Sequence, residues 1–210
     1  MGSFLRTNIN DETLVRGAAR LLYAPISITF PTTISDLIVL TTGATQYDTV
    51  SAWADFGATK TGIQITRNNA EEGLDVDQIL TDIASFPTNW EMSVATQLAQ
   101  MNLENIKEAW EGGTVVTNTG TSPDEKQLPL GAPGAYTQRR LAVLFQRPQD
   151  NTIRAYVFRK AQRSPQESTF THQKTGEQIT VPMRWKLLAD DSISDLNARF
   201  GVIYDQKLTG

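Results

Sequence analysis

The chain has no cysteine and a single histidine in 210 residues. The first absence excludes disulfides and thiolate metal sites, and it fits a reducing compartment. The histidine, His172, lies among Thr169, Thr171 and Gln173 with no acidic residue beside it. That leaves no Ser-His-Asp or Cys-His constellation and no metal site built on imidazoles. No apolar run approaches the roughly 20 residues that span a bilayer. The opening MGSFLRTNIND lacks a basic region followed by a long apolar one, so no secretory signal is expected. Gly17, Gly43, Gly57 and Gly62 do not have a phosphate-cradling spacing, and no internal repeat is visible.

What is present is 40% apolar residues, enough for one domain with a real core. The net charge is −4 and unevenly spread. Residues 1–105 hold 5 basic and 12 acidic side chains, a balance of −7; residues 106–210 hold 14 and 11, a balance of +3. Oppositely charged halves offer complementary faces to copies of the same chain, which favours register and encounter more than raw affinity.

Residues 1–13 have the pattern of an arm, polar with isolated anchors Phe4, Leu5 and Ile9. Leu14 to Thr29 is apolar and β-compatible. Residues 31–55 are rich in Thr, Ser, Gly and Asp, and predict a long excursion between strands, with Tyr47 and Trp53 as its aromatic anchors. Ile63 and Ile65 alternate with Gln64 and Thr66, and a turn is expected over Asn68–Gly73. After a proline turn, Trp90, Met92, Val94 and Leu98 share one face of a longer strand.

At Asn102 the period changes. Leu103, Ile106 and Trp110 form the stripe of a short helix, with Asn102 as its cap and Gly112-Gly113 supplying the positive φ that ends it. Glu104, Glu108 and Glu111 fall on the opposite face. Residues 112–134 read as a Gly/Pro-rich loop. Leu141, Val143 and Phe145, the turn Pro148–Asn151 and the return Ile153–Lys160 predict a hairpin. The clearest strand signal alternates Ile179, Val181, Met183, Trp185 and Leu187 with polar neighbours; Pro182 within it predicts an edge strand or a bulge. Together these predict a mainly β fold: an antiparallel β-sandwich or partly closed barrel with one short α-helix packed against it.

Two charged groups invite chemistry. Asp75 and Asp77 point to one strand face, with Glu71, Glu72 and Asp82 nearby. They read as a solvated acidic face, as a divalent-cation site, or as the Asp-x-Asp pair of sugar-nucleotide enzymes; no EF-hand loop or further ligand set accompanies them. Arg139, Arg140, Arg147, Arg154, Arg159, Lys160 and Arg163 cluster in sequence but spread over both faces of a hairpin. Pairing with acidic groups of a neighbouring copy suits them better than nucleic-acid binding. No catalytic residue and no cofactor are expected.

The order G-A-T-K-x-G-I-x-I (57–65), V-D-Q (76–78), W-E-M-S-V-A-T-x-L (90–98) and L-E-N-I-K-E-A-W (103–110) resembles the major tail, or tail tube, proteins of long-tailed bacteriophages. GAARLLYAPI at 17–26 and RFGVIYDQ at 199–206 resemble the first and last strands of such subunits. The resemblance implies a structural virion protein, not an enzyme. Six copies would close into a ring, and rings would stack head to tail into the conduit for genome ejection. Its implied partners are other copies of itself, a tape-measure protein, neck or terminator and distal tail proteins, and double-stranded DNA passing without specific binding; no membrane is implied. Assembly would take place in the bacterial cytoplasm, and the product would reside in the virion tail. On this reading Phe4, Leu5, Ile9, Tyr47, Trp53 and Pro182 are candidate subunit contacts. Asp75, Asp77, Glu104, Glu108, Arg154 and Arg159 are candidate lumen or axial charge contacts, with lumenal carboxylates repelling DNA phosphates. Terminators, distal adaptors and contractile inner tubes are alternatives within the class, and a ligand-binding β-sandwich module is one outside it.

Overall fold

The computed structural model defines residues 19–40, 47–76, 79–131, 135–147, 152–164 and 179–207, and only the backbone of residues 73–76, 79–88 and 147. The chain is mainly β. Its strands are β1 (Ala19–Pro25), β2 (Ala54–Asp55), β3 (Thr59–Val76), β4 (Ile79–Leu98), β5 (Val116–Asn118), β6 (Glu125–Gln127), β7 (Gln138–Arg147), β8 (Thr152–Arg163), β9 (Val181–Leu188) and β10 (Gly201–Lys207). One helix, α1 (Leu103–Trp110), follows β4. Eight strands form one antiparallel sheet in the order β2-β1-β7-β8-β9-β4-β3, with β10 joined to β8; β5 and β6 make a separate small hairpin.

The sheet divides at β8. Its first half, Thr152 to Phe158, pairs with β10; its second half, Lys160 to Arg163, pairs with β9. Gly201 stands at the fork. A Cβ there would run into the carbonyl oxygen of Val157, so only glycine lets β10 approach so closely.

Leu21 and Val94 lie in one apolar cluster although three strands separate β1 from β4, so the sheet curls over on itself without closing into a barrel. Tyr23, Phe56 and Trp185 bridge the fold, with successive ring centroids 4.2 and 5.2 Å apart. The alternation at Val181, Met183, Trp185 and Leu187 is the burial pattern of β9. In β7, by contrast, Leu141 to Leu144 are all buried, because a second cluster covers the other face. Its cover comes from the segment expected to be an excursion. Ile34, Leu37, Ile38 and Trp53 press onto Ala142, Leu144, Ala155 and Val157. A single 3-10 turn, Ile34–Asp36, starts it, with the Asp36 carboxylate accepting from the Thr32 and Thr33 amides at 2.8 and 3.0 Å. Residues 31–55 therefore form a lid over this chain's own sheet among the described residues.

Two local readings change. The residues expected to turn, Asn68–Gly73, run straight through β3, and Pro87 sits inside β4. The register shifts there, from Ala70↔Asn89 to Glu71↔Pro87, so Thr88 is an extra residue. A bulge of this kind absorbs a proline that has no amide to give. In α1 the cap is as expected: Asn102 Oδ1 accepts from the Asn105 amide at 2.7 Å. The buried residues, however, are Asn105 and Ala109, while Trp110 is exposed. The Asn105 amide earns its burial by donating to the carbonyls of Phe56 and Gln100 at 3.1 and 2.9 Å. The positive φ that ends the helix belongs to Glu111, at 52°. Gly112 and Gly113 instead pack against Leu128 and Pro129, where an added Cβ would be a tight fit.

Candidate functional site

The longest strand pair is the β3–β4 ribbon. β4 pairs with β9 only over Met92–Leu98. From Ile79 to Glu91 its ladder partner is β3 alone, and among the described residues no third strand joins them. That is a two-stranded projection of about 40 Å at ~3.3 Å per residue. Asp75 belongs to its far end, but its side chain lies outside the described residues, as does the whole of Asp77. Among the described residues no group of three or more metal-ligating side chains exists, and no helix is long and apolar enough to cross a membrane.

The candidate charge contacts are mostly engaged within the chain. The Glu108 carboxylate accepts from Arg139 Nε and Nη2 at 3.1 and 2.7 Å. Burial pulls the Arg139 guanidinium down, but its bonds to Glu108 and that carboxylate's charge outweigh burial and raise it. Arg154 makes a second two-pronged pair with Asp205, 2.6 Å at Nε, and the bond to Asp205 raises its pKa. Arg159 donates to the Ala198 carbonyl at 2.8 Å and lies 3.9 Å over the Phe30 ring. Glu104 is the most exposed of the four described members of this group, with Lys107 3.6 Å away.

The candidate contact residues divide similarly. Trp53 is 5% exposed and fixed inside the second core, so its indole offers nothing to a neighbour. Tyr47 packs on the same core, and its carbonyl accepts from Arg20 at 2.6 Å. Pro182 is half-buried in a strand that β4 and β8 flank, not an edge strand. The β8 ladder stops at Arg163↔Trp185, three residues short of Pro182, while β4 goes on to pair it with Gln97. Phe4, Leu5 and Ile9 lie outside the described residues.

Two features come together only through pairing between distant segments. One is an apolar groove of about 810 Å³ between the root of the ribbon and β10. Trp90, Leu196 and Ile203 are exposed at it, and Arg67 lies 4.0 Å over the Trp90 ring. Its residues come from four separated segments, so no local pattern marks it. The other is Arg163, a buried cation whose guanidinium donates to the carbonyls of Ala109 and Arg184 at 2.8 and 2.6 Å.

Among the described residues the sheet ends at β2 and β3, and β10 pairs with β8 alone. A ribbon and open edges are surfaces for backbone pairing and packing. No family model and no curated protein sequence matches this chain.

Proposed function

We propose that this chain is the repeating subunit of a phage tail tube. The β3–β4 ribbon carries the reading. A two-stranded hairpin has no second layer to bury its faces and is marginally stable alone in water. A projection of some 40 Å at ~3.3 Å per residue therefore calls for a surface on another molecule. Copies of the same chain supply one, the ribbon of each subunit lying against the next ring. The contact is heterologous, and a heterologous contact that does not close propagates as an open stack. Edges at β2, β3 and β10 serve lateral closure into a ring. The work is geometric: a conduit for DNA, with a tape-measure protein inside during assembly and terminator and distal proteins at its ends. The resemblance of residues 57–65, 76–78, 90–98 and 103–110 to tail tube proteins supports the same reading.

Negative-stain micrographs of the purified chain at rising concentration test it. Long hollow tubes are expected. A variant in which residues 71–86 are replaced by a short Gly-Ser turn is expected to keep its thermal midpoint and to stop at rings or monomers. Single rings from the full chain would assign it to a terminator instead, and a full chain that stays monomeric at high concentration overturns the proposal.

A further inference from the structure

Three basic side chains along β7 and β8 face acids. Arg139 pairs with Glu108, Arg154 with Asp205 and Lys160 with Asp190. Arg140 and Arg159 have no carboxylate partner among the described residues. These two lie together. They flank the register pair Leu141↔Phe158, whose side chains belong to the first core, so by strand alternation both arginines turn to the other face. There both guanidinium groups lie over one ring, that of Phe30, 5.5 and 3.9 Å from its centroid. Like charges side by side on adjacent strands destabilise a sheet.

Each head group is fixed by backbone and not by an acid. Arg140 donates from Nε to the Ile28 carbonyl at 3.1 Å and from Nη1 to the Arg159 carbonyl at 3.4 Å. Arg159 donates from Nε to the Ala198 carbonyl at 2.8 Å. That leaves Nη2 of Arg140 and both Nη atoms of Arg159 without an acceptor among the described residues. Stacking on a ring keeps the N–H groups at the guanidinium edge, where an oxyanion can take two at a time. The nearby acids of the chain are already committed. Asp190 serves Lys160 and Ser192, and Asp36 accepts from the Thr32 and Thr33 amides. Burial and the charge of Arg159 both depress the Arg140 guanidinium, and Asp190 restores only part. Two half-buried cations are thus held in place beside one ring, with no carboxylate of their own.

We propose that Arg140 and Arg159 form a receptor for a dianionic oxyanion of the phosphate class, either inorganic phosphate or the end of a phosphomonoester. A carboxylate brings one charge to two cations. A phosphate brings about two at neutral pH, and its oxygens serve two guanidinium forks at once. The site lies within one chain and does not rest on the tube.

Thermal midpoints in sodium phosphate and in sodium chloride of equal ionic strength test it, since matched salt cancels general screening. At about ten times its dissociation constant, phosphate is expected to raise the midpoint by about 3–6 °C. Arg140→Gln and Arg159→Gln each keep a donor for the backbone carbonyls and remove one charge. Both are expected to match or exceed the wild-type midpoint in chloride, because repulsion is relieved, and to bind phosphate at least about tenfold more weakly. No rise in phosphate overturns the proposal, and so does a rise that both variants keep. A second readout needs no variant. In nitrogen-15 spectra of the unaltered chain, the Nε–H signals of Arg140 and Arg159 are expected to move with phosphate. Those of Arg139 and Arg154, bonded to Glu108 and Asp205, are expected to stay in place. Equal movement of all these signals, or of none, overturns it as well. Glycerol phosphate run beside inorganic phosphate identifies the source. An equal response upholds a receptor for the free oxyanion, and a tighter one upholds a receptor for a phosphate ester.

Discussion

The Arg163 guanidinium lies against the carbonyl of Ala109, its Nε donating at 2.8 Å. A cation at the end of α1 meets the negative pole of the helix and one of the carbonyls that the last turn leaves without a partner. The same head group reaches Arg184 at 2.6 Å and Pro182 at 3.4 Å, so it joins the helix to β9. Burial depresses its pKa and Glu111 partly restores it. Replacing it with Met removes the guanidinium donor from the buried Ala109 carbonyl, while the Arg184 carbonyl keeps the Ser164 amide at 2.9 Å. We expect Arg163→Met to cost about 2–4 kcal/mol in urea unfolding. Arg163→Lys should fall between, since an ammonium cannot fork to three acceptors.

Two arginine–carboxylate pairs of similar shape should differ in worth. Glu108 is 9% exposed in its pair with Arg139, and Asp205 42% in its pair with Arg154. Water screens the second more than the first. Double-mutant cycles with Gln, Asn and Met replacements are expected to give a coupling of about 2 kcal/mol for the first pair and under about 1 kcal/mol for the second. Raising salt should erase the second and leave the first largely intact.

These pairs also show which parts of the fold were legible. Alternation at Val181–Leu187 and the cap at Asn102 are local signals, and the structure keeps both. Arg154 and Asp205 face each other only because β8 and β10 take one register across 51 positions of chain, which no composition of either segment announces. Asn68–Gly73 and Pro87 carry turn chemistry, yet long-range pairing with a bulge overrides it. Trp53 reads in sequence as a candidate subunit contact, but it is buried in one cluster with Ala142, Leu144 and Ala155, apolar residues about a hundred positions away. The helix stripe failed for a different reason: polar partners for Asn105 and Glu108 made their face the inward one. Of the β3–β4 ribbon, the alternating strands were legible and their continuous length was not.

Glu111 occupies a position that favours glycine, with φ of 52° at the end of α1. Burial raises its pKa, ahead of the lowering bond from the Thr137 amide at 2.9 Å. The ionised carboxylate therefore weakens the fold at neutral pH. Glu111→Gly should stabilise by about 0.5–1 kcal/mol at pH 7. A raised carboxylate pKa means that the charge penalty is present above it and gone once pH falls below the ordinary value of 4.5. The advantage of the variant in thermal midpoint should therefore shrink on acidification.

Asp190 has the opposite sign. Its Oδ1 accepts from the Ser192 hydroxyl at 2.7 Å and the Ser192 amide at 3.2 Å, and pairs with Lys160 at 2.9 Å. The Ser192 hydroxyl bond first, and then Lys160, hold its pKa down to about 2. The ordinary value is 3.8, so the unfolded chain takes up a proton before the folded one does. The stabilisation is complete above that value and is lost as pH falls through about 2. Asp190→Asn should cost about 1–2 kcal/mol at pH 7, in the range for a hydrogen bond to a charged group. Thermal midpoints of the two proteins should differ by a constant amount above pH 5 and converge as pH drops from 4 towards 2. The two carboxylates then serve as controls for each other. General acid unfolding would move both comparisons the same way, whereas the local environments of Glu111 and Asp190 require that acid narrow one variant's gain and the other's loss. A gap for Asp190→Asn that persists unchanged at pH 2.5 would show that the Ser192 and Lys160 contacts do not hold the carboxylate in its charged form.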